Sequence, residues 1–554
     1  MTTTVTIPAH TTASAPRPHI LYELHVGAGG HVVLRRYSEF VALHAALGDA
    51  HALPPKRVLT TAFSPSAWAD DALIEERKAG LYAYLEALLA DPQYAGAAPL
   101  RAFLESESGA GAEADGQTFD PEDAVPSTLS RGAALELLGE VEAQAATQLH
   151  GTYYPDWSSG QLPPESLWFG KFDIIYFAFV TPNSSSTLSW DGGAQALLKR
   201  LVSSANKAGK GTRVVLSVGG WGGSKWFSQA CSTAANRAKF VNSIVSAINT
   251  YGLAGVDLDW EYPNSAGAGN PHGPNDAANL LTLITSLRSA LGSSKIISAA
   301  VPHLPWLGTN GRPLANVAAY AKQMSWVNIM NYDVWGASSS PGPNAPLGNI
   351  CGTSKQPSAN AHGAISAWTK AGFPANKLFL GLPLYGYVSK SSKTVLQGSF
   401  VLPDTIAPQN LLLAEDVEGD FLNGAHPRAG AEHKDEGGEV HAEANLTGWY
   451  NQQIPFGKIV SSGALKRTAD GKYTAAGGFT RGWDHCSTTP YLYNIAQNTV
   501  VTYDDPVSLG EKAKWARSMG LGGTFTWSID EDDGHYLTDA IRTAGGRAPP
   551  PASS

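Results

Sequence analysis

From Gly151 to about Gly545, short apolar runs alternate with segments of helical spacing. The runs are Thr152-Tyr-Tyr, Ile174 to Val180, Arg213 to Val218, Gly255 to Trp260, Ile296 to Val301, Trp326 to Met330, Leu378 to Leu382 and Gly523 to Trp527. Strands buried on both faces read as such runs, and helices between them give the repeat of a (β/α)₈ barrel. The interval between the seventh and eighth runs is too long for one helix. It predicts an inserted α+β subdomain across roughly 385–500.

Ahead of the barrel the pattern differs. Ile20 to Val26 and His31 to Arg36 are strand-like around the turn Gly27-Ala-Gly-Gly, and Tyr37 to Leu47 and Asp71 to Ala90 are helical. Leu73, Arg77, Leu81, Tyr84, Leu85 and Leu88 stand close to helical spacing. Ser106 to Thr128 is rich in Gly, Ala and acids, a linker composition too poor in apolar residues to form a core. Leu129 to Leu149 predicts one amphipathic helix. The chain therefore reads as multidomain. An α+β unit at 1–110 is followed by a linker and helix at 111–149, then by an α/β TIM (β/α)₈ barrel at 150–548 with its insertion after strand 7.

Composition narrows the function. The net charge of -9 argues against nucleic acid as a partner and suits a neutral ligand. Fifteen Trp and twenty Tyr supply flat rings for sugar stacking, although core filling accounts for most rings in any fold. Of Cys231, Cys351 and Cys486, at most one pair can bond, so this is no disulfide scaffold. Met1 to Ile20 shows no secretory signal pattern, which predicts a cytosolic start. Glu415 to Asn445 is acidic, with His433 and His441 among carboxylates; it reads as a solvated loop, with a metal site as the lesser alternative, and no metal is assigned to it.

The candidate chemistry lies in Ala254-Gly-Val-Asp-Leu-Asp-Trp-Glu-Tyr-Pro263. Strand alternation puts Asp257, Asp259 and Glu261 on one face and Val256, Leu258 and Trp260 on the other. In a barrel the acidic set points inward and climbs to the C-terminal rim, where barrel active sites lie. Three crowded carboxylates repel, so at least one should hold a proton at neutral pH.

This run resembles the D-x-x-D-x-D-x-E motif of family 18 chitinases. Ser217-Val-Gly-Gly-Trp221, Met330-Asn-Tyr-Asp333, Leu380 to Gly386, Trp483 to Tyr491, Val501 to Pro506 and Trp527 fit the same family in order. One departure is Ala254, which stands where the family usually has its first aspartate. The resemblance implies hydrolysis of chitin or chito-oligosaccharides by substrate-assisted retention, without metal or organic cofactor. Glu261 would be the proton donor, Asp259 would hold the acetamido N–H, Asp257 would share its proton, and Tyr332 would bond the acetamido carbonyl. Tyr153 and Ser217 would hydrogen-bond the deeper aspartate. Met330 and Asp333 would line the same subsite, with Trp527 as its floor. Trp221, Trp335 and Tyr385 are candidates for stacking, with core packing as the other reading of each.

Arg35-Arg-Tyr-Ser-Glu-Phe40, Leu53-Pro-Pro-Lys56 and a helix bearing Arg77 resemble the phox-homology (PX) domain, which binds phosphoinositides. By that resemblance Arg36 would take the 3-phosphate of phosphatidylinositol 3-phosphate, and Tyr37 would pack under the inositol. Lys56 would reach the 1-phosphate and Arg77 the 4- and 5-hydroxyls. Residues 1–110 hold eight Lys/Arg against eleven Asp/Glu, so diffuse attraction to an anionic membrane is missing. Weak binding is the expectation, aided by Phe63, Pro65 and Trp68. The alternatives are a glycan-binding relative without turnover and a fusion of two genes. The PX resemblance suggests the cytosol or endosomal membranes, and the chitinase resemblance the cell exterior. Asn183 and Asn445 stand in N-x-S/T sequons.

Overall fold

A computed structural model describes residues 4–13, 19–27, 31–48, 51, 53, 71–105, 148–399, 443–469 and 471–547. They belong to two compact units, one N-terminal and one containing the barrel. Lys56, Phe63, Pro65, Trp68, the linker, residues 129–147, His433 and His441 lie outside the described residues.

The N-terminal unit opens with an antiparallel sheet of Val5–Ala13, His19–Val26 and His31–Arg35. The sequence pattern starts the unit only at about His19, because Val5 to Ala13 is dominated by Thr and small residues with little apolar signal. Helices Tyr37–Ala46, Asp71–Ala90 and Ala98–Glu105 cover the sheet. Tyr22, Leu24, Phe40, Leu81, Tyr84, Leu85, Leu88 and Leu100 share its core.

In the other unit eight parallel strands close on themselves. In chain order they are Leu149–Pro155, Ile174–Pro182, Arg213–Gly219, Gly255–Asp259, Ile296–Val301, Val327–Ile329, Leu378–Pro383 and Gly523–Trp527. Each pairs with its sequence neighbours, and the first pairs with both the second and the last. This is a TIM barrel. Leu149, expected at the end of a helix, instead begins the first strand.

Strand alternation divides the apolar residues into two groups. Tyr153, Tyr176, Val215, Ile296, Phe379 and Phe525 form the barrel interior. Val256, Leu258 and Trp260 belong to the outer layer that packs on helices, where Trp260 stacks on Phe227 with ring centres 5.1 Å apart. Between the seventh and eighth strands, Tyr385–Lys390, Gln452–Pro455, Thr480–Asp484, Thr489–Asn494 and Thr499–Thr502 form an antiparallel sheet. Helix Phe456–Ser461 and the hairpin Leu465–Arg467/Tyr473–Ala475 accompany it. The cysteine pair is Cys351–Cys486, which ties the segment after the sixth strand to this inserted sheet.

Candidate active site

Asp257 and Asp259 lie on the fourth strand and Glu261 just beyond its end, all three buried. The deepest, Asp257, accepts four hydrogen bonds. Tyr153 and Ser217 donate to Oδ2 at 2.9 and 2.8 Å, and Ser298 and Asn328 donate to Oδ1 at 2.7 and 3.3 Å. Burial pushes its pKa up, and these donors pull against that push. Four donors around two oxygens fit the ionised form.

Asp259 is the opposite case. Its Oδ1 is buried and has no hydrogen-bond partner among the described residues. Burial first, then the charges of Glu261 and Asp257, and then a hydrogen bond with Glu261 hold its pKa well above the usual carboxylate range. Burial and the neighbouring carboxylates thus favour the protonated form of this carboxyl. Glu261 is pushed up to about 7, chiefly by burial, with hydrogen bonds from Tyr262 and Asp259 opposing the shift. An acid with a pKa near neutrality is suited to donate a proton and recover it. Its backbone is fixed too: Glu261 N–H donates to Ser224 Oγ at 3.0 Å, and Asn270 Nδ2 donates to its carbonyl at 3.2 Å.

The sixth strand brings the next groups to the rim. Tyr332 carries no hydrogen bond on its hydroxyl among the described residues. Burial, then Asp259, Asp333 and Glu261, raise its pKa, so it stays a donor. Asp333 has φ 56°, the left-handed region, with its N–H on Asn344 Oδ1 at 2.8 Å. Its Oδ1 accepts from Tyr385, Tyr387 and Gln453 at 2.5, 2.7 and 3.4 Å. Met330 packs at the edge of the barrel interior. Trp527 stacks on Phe179 with centres 5.6 Å apart and lies 5.4 Å from the Tyr153 ring, beneath the mouth.

The three candidate stacking rings part company. Trp221 is 55% exposed and has a face to offer. Trp335 is half-buried, with Gly342 against its ring so closely that a Cβ there would lie 2.4 Å from it. Tyr385 corrects the stacking expectation: it is buried, and its hydroxyl serves Asp333. Aromatic residues on inward strand positions fill the interior as readily as they line a cleft, and sequence does not separate the two.

Further polar groups stand at the site without an expected role in the sequence, among them Ser298, Asn328, Tyr262, Tyr387 and Gln453. Ser298 and Asn328 had a signal, each being a lone polar residue at an inward position of an apolar strand. Tyr387 and Gln453 had none, because the inserted sheet delivers them from distant sequence.

In the N-terminal unit, Arg35 and Arg36 separate. Arg35 is 1% exposed, and its guanidinium donates to the carbonyls of Phe103 and Leu34. It fastens the last helix to the sheet. Arg36 is half-buried at the start of helix Tyr37–Ala46, with its N–H on Glu39 Oε2 at 2.7 Å. Arg77 lies over the Tyr37 ring, 5.5 Å from its centre, so these two expected ligand groups are brought together.

Comparison with known proteins agrees with this architecture. Residues 151–532 match glycosyl hydrolases family 18, and residues 25–107 match the PX domain. A chitinase-like effector of Moniliophthora roreri is 32% identical over 73% of this chain and 94% of its own length. Chitinase A1 of Niallia circulans is 29% identical over 61% of this chain and 44% of its own. The crystal structure of a chitinase from Rhizomucor miehei superposes with a TM-score of 0.55 at 32% identity, covering 72% of this chain and all of that one. The chain belongs to glycosyl hydrolase family 18, with a PX domain ahead of its barrel.

Proposed function

We propose that the barrel hydrolyses β-1,4-linked N-acetylglucosamine in chitin or its oligomers, with the substrate's own acetamido oxygen as nucleophile. The observation that carries this reading is Asp259, a buried carboxyl with a strongly raised pKa beside a Glu261 poised near neutrality. A protonated Asp259 is no nucleophile, which supports the substrate's own acetamido oxygen over a protein carboxylate as the attacking group. Glu261 gives its proton to the glycosidic oxygen as the C1–O bond breaks and the acetamido oxygen bonds to C1. Asp259 accepts the acetamido N–H as its own proton passes toward Asp257, and Tyr332 donates to the acetamido carbonyl. Water then attacks C1, opening the oxazolinium ring and losing its proton to Glu261. Met330, Asp333 and Trp527 hold the reacting sugar, and Trp221 offers its face to a neighbouring ring.

For the N-terminal unit the reading is weak binding of phosphatidylinositol 3-phosphate by Arg36, Tyr37, Arg77 and Lys56. The half-buried Arg36 beside the Arg77–Tyr37 pair supports it.

Two observations favour a second reading, glycan binding without turnover: Ala254 replaces an acidic position of the family motif, and the Moniliophthora relatives are named chitinase-like effectors. The experiment that separates the readings compares wild type with Glu261→Gln on chito-oligosaccharides. Enzymatic function requires turnover by wild type and a loss of at least about 10²-fold in the variant, with binding kept. Binding without wild-type turnover selects the second reading.

A further inference from the structure

The two sequons differ in what surrounds their amides. Asn183 of Asn183-Ser-Ser is half-buried in the turn after the second barrel strand. Its Nδ2 donates to Thr187 Oγ1 at 2.9 Å, and its Oδ1 accepts the N–H groups of Ser185 and Thr187 at 3.0 and 3.1 Å. The nitrogen is committed to a partner outside the sequon, and a glycan there would have to leave from a packed turn.

Asn445 of Asn445-Leu-Thr is exposed, and its Nδ2 makes no hydrogen bond among the described residues. Its Oδ1 accepts both the N–H and the hydroxyl of Thr447, the third sequon residue, at 2.9 and 2.6 Å. Asn183 Oδ1 accepts donors in the same way, the Thr187 hydroxyl at 3.1 Å included, so the two sequons differ at the nitrogen: that of Asn183 is half-buried on Thr187, that of Asn445 is exposed. The turn at Asn445 spans three residues, so it can form before the rest of the fold.

An independent observation concerns the compartment. Cys351 and Cys486, 135 residues apart, are bonded with Cα atoms 5.2 Å apart. Backbone bonds from Leu347 N–H to Ser487 at 2.9 Å and from Ile350 N–H to Cys486 at 3.0 Å flank the bridge. The disulfide is thus part of how two segments meet, and such bonds persist in oxidising compartments. Asparagine-linked glycosylation takes place in that setting.

We infer that Asn445 is an acceptor for an N-linked glycan, that Asn183 is not, and that the barrel matures in an oxidising lumen. This departs from the cytosolic start read from the first residues. In the transfer, Asn445 Nδ2 bonds to C1 of a saccharide carried on a lipid pyrophosphate. The C1–O bond to the pyrophosphate breaks, the lipid pyrophosphate leaves with the electron pair, and one amide proton is lost to the transferase.

The test uses the full chain purified from its native source. A peptide N-glycosidase is applied in heavy-oxygen water, followed by non-reducing peptide mass spectrometry. The expected result is heavy aspartate at position 445, unaltered asparagine at 183, and the peptides of Cys351 and Cys486 recovered linked. An unlabelled position 445, a labelled position 183, or free thiols at the two cysteines overturns the proposal. In the full chain, Thr447→Ala should lose the glycan and Thr447→Ser should keep it. Retention in Thr447→Ala also counts against the assignment, and if that variant does not accumulate, the wild-type peptides still decide.

Discussion

The side-chain amide of Asn328 lies 3.3 Å from Asp257 Oδ1 and 3.2 Å from the Tyr153 hydroxyl, joining two groups that both serve the deepest carboxylate. Tyr176 donates to the other end of this amide at 3.3 Å and accepts from Trp326 Nε1 at 2.9 Å. The acidic strand therefore stands on a hydrogen-bonded column running down the barrel interior. Ser217 and Ser298 complete the set from the neighbouring strands.

Asn328 is on this account a positioning residue, acting through Asp257. A hydrogen bond to a charged group contributes about 1.5–3 kcal/mol, so Asn328→Ala should lower kcat by about tenfold to a hundredfold with little change in KM. Losing a donor makes Asp257 easier to protonate, so the ascending limb of the pH–rate profile should move to higher pH. A uniform fall in activity with an unmoved profile would mean that Asn328 only supports the fold.

Glu261 supplies a pH prediction with a definite sign. Its pKa is pushed up to about 7 by burial, and catalysis needs the acid form, so hydrolysis should fall as pH rises through about 7. Because the folded pKa exceeds the ordinary 4.5, the associated stability is full below that value and is lost as pH rises through about 7. Glu261→Gln has no proton to lose there. Its melting temperature relative to wild type should climb between about pH 5 and about pH 8. A constant difference across that range would show that Glu261 is not held protonated by the fold.

For the PX unit, the full chain should float with liposomes containing phosphatidylinositol 3-phosphate, weakly, and Arg36→Ala should not. Arg35→Ala is a poor control, because Arg35 holds the Phe103 carbonyl and its loss should unfold the unit. Equal flotation of wild type on phosphatidylserine alone, or full binding by Arg36→Ala, would contradict the pocket.

Much of the barrel was legible because its eight strands are short, apolar and separated by helical spacing, and Asp257, Asp259 and Glu261 follow from a period of two. The proton arrangement was legible only in outline. Crowding says that some carboxyl holds a proton, but only the four donors on Asp257 and the Oδ1 of Asp259, without a partner among the described residues, say which. Tyr385 misled because an inward aromatic reads alike as platform or packing. Arg35 and Arg36 read alike in sequence, and the Phe103 carbonyl, far along the chain, is what distinguishes them.

The central claim, attack by the substrate's own acetamido group with Glu261 as acid, is tested most directly by the anomeric form of fresh product. Proton NMR of chito-oligosaccharide hydrolysis in its first minutes should show the β-anomer, with the α-anomer arising later by mutarotation. An initial α-anomer would mean direct attack by water and would contradict the roles given to Asp259 and Tyr332.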